Sequence, residues 1–167
     1  QTDVDEIVHG LTTIVSISTA MGNKRVTGQG TGFFYHKYND QASKYLDENI
    51  NSVNSNLESI LLITNKHVLF PTDSLKRFNP SYPTKIEFYL RKKIRDSLYP
   101  KWDTIRLIPS EIQKLIRLHS DTTVDVAAVD ITNYVLPKLL KGDGLYHYSA
   151  VSKINFPNPD IPMELNG

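Results

Sequence analysis

Thr27-Gly28-Gln29-Gly30-Thr31-Gly32-Phe33-Phe34-Tyr35 sets three glycines two residues apart and follows them with three aromatics. Side chains alternate between the two faces of a strand, so the three glycines share one face. Glycine inside a strand marks a bend or a close approach of another segment, as at barrel corners. The stretch therefore reads as a strand that curves around its neighbours.

The same two-residue period recurs on both sides of it. From Leu11 to Thr19, Leu11, Thr13, Val15 and Ile17 face one way and Ser16 and Ser18 the other. Ser59 to Asn65 is a buried strand, Lys85 to Leu90 alternates again, Asp103 to Ile108 is a weaker strand, and Val124 to Ile131 is the last. Six short strands with one or two short helices predict an all-β fold, an antiparallel six-stranded β-barrel. Residues 39–58 are polar and rich in Asn and Ser, and read as a surface insertion. Ser110-Glu111-Ile112-Gln113 has the form of a capping box, with Ile112, Leu115 and Ile116 at helical spacing. A second helix over Asn133 to Lys141, closed by Gly142, conflicts with Pro137 unless that residue falls in the first turn. Residues 143–167, with three prolines, read as a connecting segment. The expected division is a barrel over 1–131 and a linker, or the start of a further unit, over 132–167.

Composition narrows the function. A chain of 167 residues, 40% hydrophobic and 22% charged, suits one ordinary globular domain. A net charge of +1 argues against nucleic acid or an anionic membrane as the main partner. The basic run Arg91-Lys92-Lys93-Ile94-Arg95 reads as a solvated strand end that resists edge pairing. With no cysteine, disulfides, thiol catalysis and cysteine-based zinc sites are excluded, and a reducing, cytoplasmic compartment is expected. No signal peptide and no membrane-length apolar run is visible, and Gln1 in place of Met suggests a trimmed start.

Other signals lead nowhere. His9, His36, His119 and His147 lack metal-ligand spacing, and Asp121, Asp125 and Asp130 lack calcium-loop spacing, so neither a metal nor a cofactor is expected. The glycines of 28–32 fit no phosphate-loop pattern. Ile7-Val8-His9-Gly10 reads as a pre-strand turn, and Gly142-Asp143-Gly144 as a turn.

Two residues carry chemistry. Ile63-Thr64-Asn65-Lys66-His67-Val68 ends an apolar strand on a histidine, where a turn can present the ring to a cleft. Val124-Asp125-Val126-Ala127-Ala128-Val129 opens another on an aspartate among apolar neighbours. Histidine works as a general base near neutral pH, and a rigid carboxylate fixes its tautomer and stabilises the imidazolium.

In order and strand context the chain resembles the N-terminal half of the trypsin-like (chymotrypsin-fold) serine peptidases, of the cysteine-free bacterial type. Gly28-Gln29-Gly30-Thr31-Gly32-Phe33-Phe34 is similar to that family's small-x-Gly-Ser-Gly-Phe strand. Ile63 to Val68 is similar to its Val-Thr-Ala/Asn-x-His-Val segment, and Asp125 to Val129 to its Asp-Leu/Ile-Ala-Leu/Val-Leu segment. The likeness spans roughly Leu11 to Ile131. It implies the first barrel of a double barrel, with His67 as general base, Asp125 as the acid that orients it, and a polypeptide substrate. There are departures. Lys66 stands where the family has a small residue, the gap of 58 residues from His67 to Asp125 is long, and no Gly-Asp/Asn-Ser-Gly loop occurs. The nucleophile is absent from this chain, so the resemblance implies a second barrel or partner chain beyond Gly167 that supplies the serine. It also implies an inactive isolated chain, with an exposed apolar face that drives dimerisation, partner binding or poor solubility. The alternative is a catalytically inactive barrel acting as a binding or regulatory module.

Overall fold

In the computed structural model, residues 9–39, 57–71, 81–93, 101–141 and 145–152 are described. Most of the polar insertion, Ile94 and Arg95 of the basic run, the Gly142-Asp143-Gly144 turn and residues 153–167 lie outside them. The strands are β1 (Thr12–Met21), β2 (Lys24–Tyr38), β3 (Leu57–Thr64), β4 (Lys85–Lys92), β5 (Lys101–Arg106), β6 (Ile116–Leu118), β7 (Ala127–Asp130), β8 (Tyr146–His147) and β9 (Val151–Ser152). One helical turn, α1 (Lys66–Leu69), follows β3. A 3-10 turn over Pro109–Glu111 leads into α2 (Ile112–Leu115), and α3 (Thr132–Lys141) follows β7.

All nine strands join one mostly antiparallel sheet in the order β5-β4-β1-β2-β3-β7-β6, with β8 added on β4 and β9 parallel on β2. Among the described residues β5 and β6 share no ladder, so the sheet stays open along this path. The all-β antiparallel class expected from the sequence holds. Among the described residues the expected six strands become nine, because β6, β8 and β9 are only two or three residues long, too short to show alternation.

Alternation in the strands builds one core. Val15 and Ile17 of β1, Phe34 of β2, Ile60 and Leu62 of β3, Phe88 and Leu90 of β4 and Val129 of β7 are all buried. Phe34 meets Phe88 edge-on, ring centroids 6.1 Å apart. The glycine face of β2 is this inner face. A Cβ on Gly32 would lie 2.9 Å from Leu62 Cδ1 and 3.0 Å from Val15 Cγ2.

The helices differ from expectation. The capping box does not form: Pro109 opens a 3-10 turn, and neither this turn nor α2 has a side-chain cap. Ile112 and Ile116 are buried, but Ile116 already belongs to β6. The helix containing Pro137 does form, with proline past its first turn. Its start is firmly held. Asp130 Oδ1 accepts the Thr132 backbone N–H at 3.1 Å and the Thr132 hydroxyl at 2.6 Å, and that hydroxyl oxygen accepts Ile60 N–H at 2.9 Å. Val135 is fully buried against the core, and packing outweighs the helix bond that proline removes.

Candidate active site

Where β3 ends, the chain turns into α1. Asn65 has the extended backbone of a helix N-cap (φ −75°, ψ 142°), yet its side chain caps nothing. The capping acceptor comes from across the sheet. Asp125 Oδ1 accepts the His67 backbone N–H at 2.9 Å, and its carboxylate also accepts the backbone N–H of Lys66. Its second oxygen, Oδ2, lies 2.5 Å from His67 Nδ1. One carboxylate thus satisfies the start of the turn and anchors the ring carried on that turn.

Ladder register brings the two segments together. Thr64 of β3 pairs with Ala127 of β7, so the residues just beyond each strand end, Asn65 to His67 and Asp125, meet. Asn65 Nδ2 donates to the Asp125 carbonyl at 3.1 Å, and Lys66 Nζ to the Thr122 carbonyl at 3.2 Å. The loop before β7 is braced internally. Asp121 Oδ1 accepts the Thr123 backbone N–H at 2.9 Å and the Thr123 hydroxyl at 2.6 Å.

Asp125 was expected inside a strand from Val124 to Ile131, surrounded by apolar residues. The strand instead begins at Ala127 and stops at Asp130, so Asp125 lies ahead of the ladder. Its side chain is 48% exposed and that of His67 is 67% exposed. Val126, one of its apolar neighbours in sequence, is 43% exposed. The sequence pattern is apolar through 124–129, but sheet packing covers it only from Ala127 onward.

The electrostatics suit an ionised carboxylate. Partial loss of solvent pushes the Asp125 carboxyl up. The bond from His67 Nδ1, the two backbone N–H groups and the charge of a protonated His67 pull it down and prevail, so it lies below the ordinary aspartate value. With Nδ1–H directed at the carboxylate, the lone pair of His67 lies on Nε2. Among the described residues Nε2 has no hydrogen-bond partner. The pair can therefore accept a proton from a group brought to the open face.

The remaining sequence candidates are scattered. His119 Nδ1 accepts the Asp121 backbone N–H at 3.0 Å, His147 lies on β8, and His36 is built into the core side of β2. His9 lines a cavity of about 520 Å³ with Ile14, Tyr89 and Trp102, and neither His67 nor Asp125 lines it. Among the described residues no three His, Asp or Glu side chains gather as metal ligands. Sequence reasoning missed the ties from Asn65 and Lys66. Lys66 registered only as an oversized residue beside the histidine, with nothing to locate Thr122 opposite it.

Comparison with protein-family models, with curated proteins and with solved structures finds no match to this chain.

Proposed function

We propose that this chain is the His/Asp-bearing half of a trypsin-like serine endopeptidase, with the nucleophilic serine supplied from outside these 167 residues. The observation that carries the proposal is the double engagement of Asp125 with His67, at Nδ1 (2.5 Å) and at the backbone N–H (2.9 Å). This arrangement fixes both the tautomer and the orientation of a general base.

In this reading His67 Nε2 takes the proton of the serine hydroxyl as that oxygen attacks the substrate carbonyl. The imidazolium, stabilised by Asp125, then protonates the leaving amine. Water attacks the resulting ester with His67 again as base, releasing the acid and restoring the serine. The oxyanion hole and the pocket that selects substrate come with the serine-bearing unit. In this reading the open sheet, with β5 and β6 at the ends of its path, corresponds to the first barrel of the double-barrel fold. The exposure of the His67–Asp125 pair, together with exposed Leu118 and Val126 nearby in sequence and ladder, supports a covering second unit.

A serine-directed fluorophosphonate tests this. The expected result is no labelling at a defined serine in the 167-residue chain, and labelling of the longer source chain that His67→Ala abolishes. Labelling of a serine within the 167 residues would overturn the assignment of the nucleophile. A longer chain that is never labelled, and that cleaves no peptide, would favour the inactive binding or regulatory module.

A further inference from the structure

Residues 145–152 form a strap that crosses three parts of the fold. Lys93 N–H donates to the Leu145 carbonyl at 2.7 Å, Ser149 N–H donates to the Gly10 carbonyl at 3.0 Å, and β9 pairs with β2 through Tyr35–Val151 and His36–Ser152. Each ladder of the strap covers only two residues. Backbone pairing that short holds weakly, so side chains must do much of the fastening.

The fastening is at His36. Its Nε2 lies 2.6 Å from the Tyr148 hydroxyl of the strap, and its Nδ1 lies 3.1 Å from the Tyr38 hydroxyl of β2. Tyr148 also packs on Phe34, ring centroids 5.1 Å apart, and on the His36 ring at 5.5 Å. We propose that His36, Tyr38 and Tyr148 form an acid-released clasp that fastens the 145–152 strap to β2. This is independent of whether His67 and Asp125 are catalytic.

Neutral imidazole has one donor nitrogen and one acceptor nitrogen. Held between two hydroxyls, it donates to one and accepts from the other. A second ring proton takes the acceptor away, and the hydroxyl that donated to it loses its partner at a site partly shielded from water. A donor shielded from water and stripped of its acceptor costs free energy, the more so the deeper it lies. Burial alone also opposes the charge, and pushes His36 down to about 4. Burial likewise raises Tyr148 and Tyr38, so both stay neutral throughout the acid range. Among the described residues no carboxylate offsets a charge on His36. Its cross-strand neighbours are Ile60 on β3 and Ser152 on β9, and the nearest charged residues along the strands, Lys37 and Glu58, pair with each other at 3.5 Å.

The sign follows. A histidine whose closed-state pKa lies below its open-state value contributes stability that is complete above about 6.5 and is lost as pH falls toward 4. Between pH 7.5 and pH 5 the strap-opening equilibrium should rise roughly 30-fold. Hydrogen exchange on the intact chain, corrected for the intrinsic pH effect, reads this directly. The Ser149 amide should lose about that factor of protection, while amides of β3 and β7 keep theirs. His36→Gln should flatten the pH response. Tyr148→Phe should lower Ser149 protection already at pH 7.5 and shrink the response. A strap whose protection does not change with pH overturns the clasp. So does a loss shared equally by β3 and β7, or a loss that persists in His36→Gln. Should neither variant fold, an imidazole NMR titration of the unaltered chain decides: His36 titrating near 6.5 with the strap still protected refutes it.

Discussion

A Cβ placed on Gly30 would fall 2.4 Å from Val68 Cγ2 and 3.0 Å from Val68 Cγ1, so the residue next to His67 occupies the space that glycine leaves open. α1 settles onto β2 only because that position has no side chain. The glycine strand and the histidine turn, separate in sequence, are one packing unit, and Gly30 positions His67 through Val68.

Gly30→Ala should therefore cost about 1–3 kcal/mol, as overpacking of a filled site does. Unfolding in denaturant would show it as a lower midpoint at unchanged slope. Displacement of α1 should also weaken the His67–Asp125 bond, and the downfield Nδ1–H proton resonance of His67 should broaden or vanish. Adding Val68→Ala removes both clashing methyls, so the double variant should recover much of the resonance. Independent, additive losses would mean the two residues do not share that space.

Asp125→Asn should barely alter stability, by well under about 1 kcal/mol, because the pair is half-exposed and water screens it. Its effect is on the tautomer. An amide NH₂ facing Nδ1 makes that nitrogen the acceptor and moves the ring proton to Nε2, where a base needs its lone pair. In the proposed serine-bearing peptidase kcat should fall about 10⁴-fold, the loss that this substitution causes in a Ser-His-Asp triad. Nitrogen-15 shifts of the His67 ring report the tautomer in the 167-residue chain itself. An unchanged Nδ1–H form in the variant would remove the carboxylate's assigned role.

Glu87 predicts the acid limb of stability. Its side chain is almost fully buried on β4, with Lys85 Nζ, Arg106 Nε and Arg106 Nη2 each 2.8 Å from Oε1. The Lys85 bond pulls its carboxyl down, burial pushes it up, and the bond and charge of Arg106 tip the balance below the ordinary glutamate value. Such a group contributes stability above its unfolded pKa of about 4.3 and loses it as pH falls through the lower folded value. Glu87→Gln should cost about 1–2 kcal/mol at pH 7. The gap to the unaltered protein should close below pH 4 in thermal melts. An equal gap at pH 3 and pH 7 would show that the charge does not contribute.

The sequence displayed those parts whose signal is local. Alternation located β1 and β4, an apolar run located β3, the glycine run marked β2 and set its glycines on one face, and apolar runs ending on His67 and opening on Asp125 marked the two segments that meet. What stayed hidden depends on partners far along the chain. Asp125 lies ahead of its strand because a ladder starts where a neighbour supplies hydrogen bonds, and an apolar run does not encode that. Lys66 reaches Thr122 and His36 reaches Tyr148 across 56 and 112 residues, separations at which no periodicity carries information. The Ser110 capping box failed because Pro109 set a tighter turn before the serine could cap an α-helix.

Pro137 offers a test of how far packing overrules propensity. It lies inside α3, where its missing N–H leaves the Asn133 carbonyl without the usual i−4 partner. Proline is about 3 kcal/mol worse than alanine within a helix, although it also restricts the unfolded chain by about 0.4–1 kcal/mol. Pro137→Ala should then stabilise the protein by about 2–2.6 kcal/mol and raise Tm by several degrees. The gain requires α3 to keep its present axis, held at one end by the Asp130–Thr132 cap and along its length by Val135 in the core. A lower Tm would mean that the proline sets a bend which the packing of Leu136 and Leu139 against the core needs.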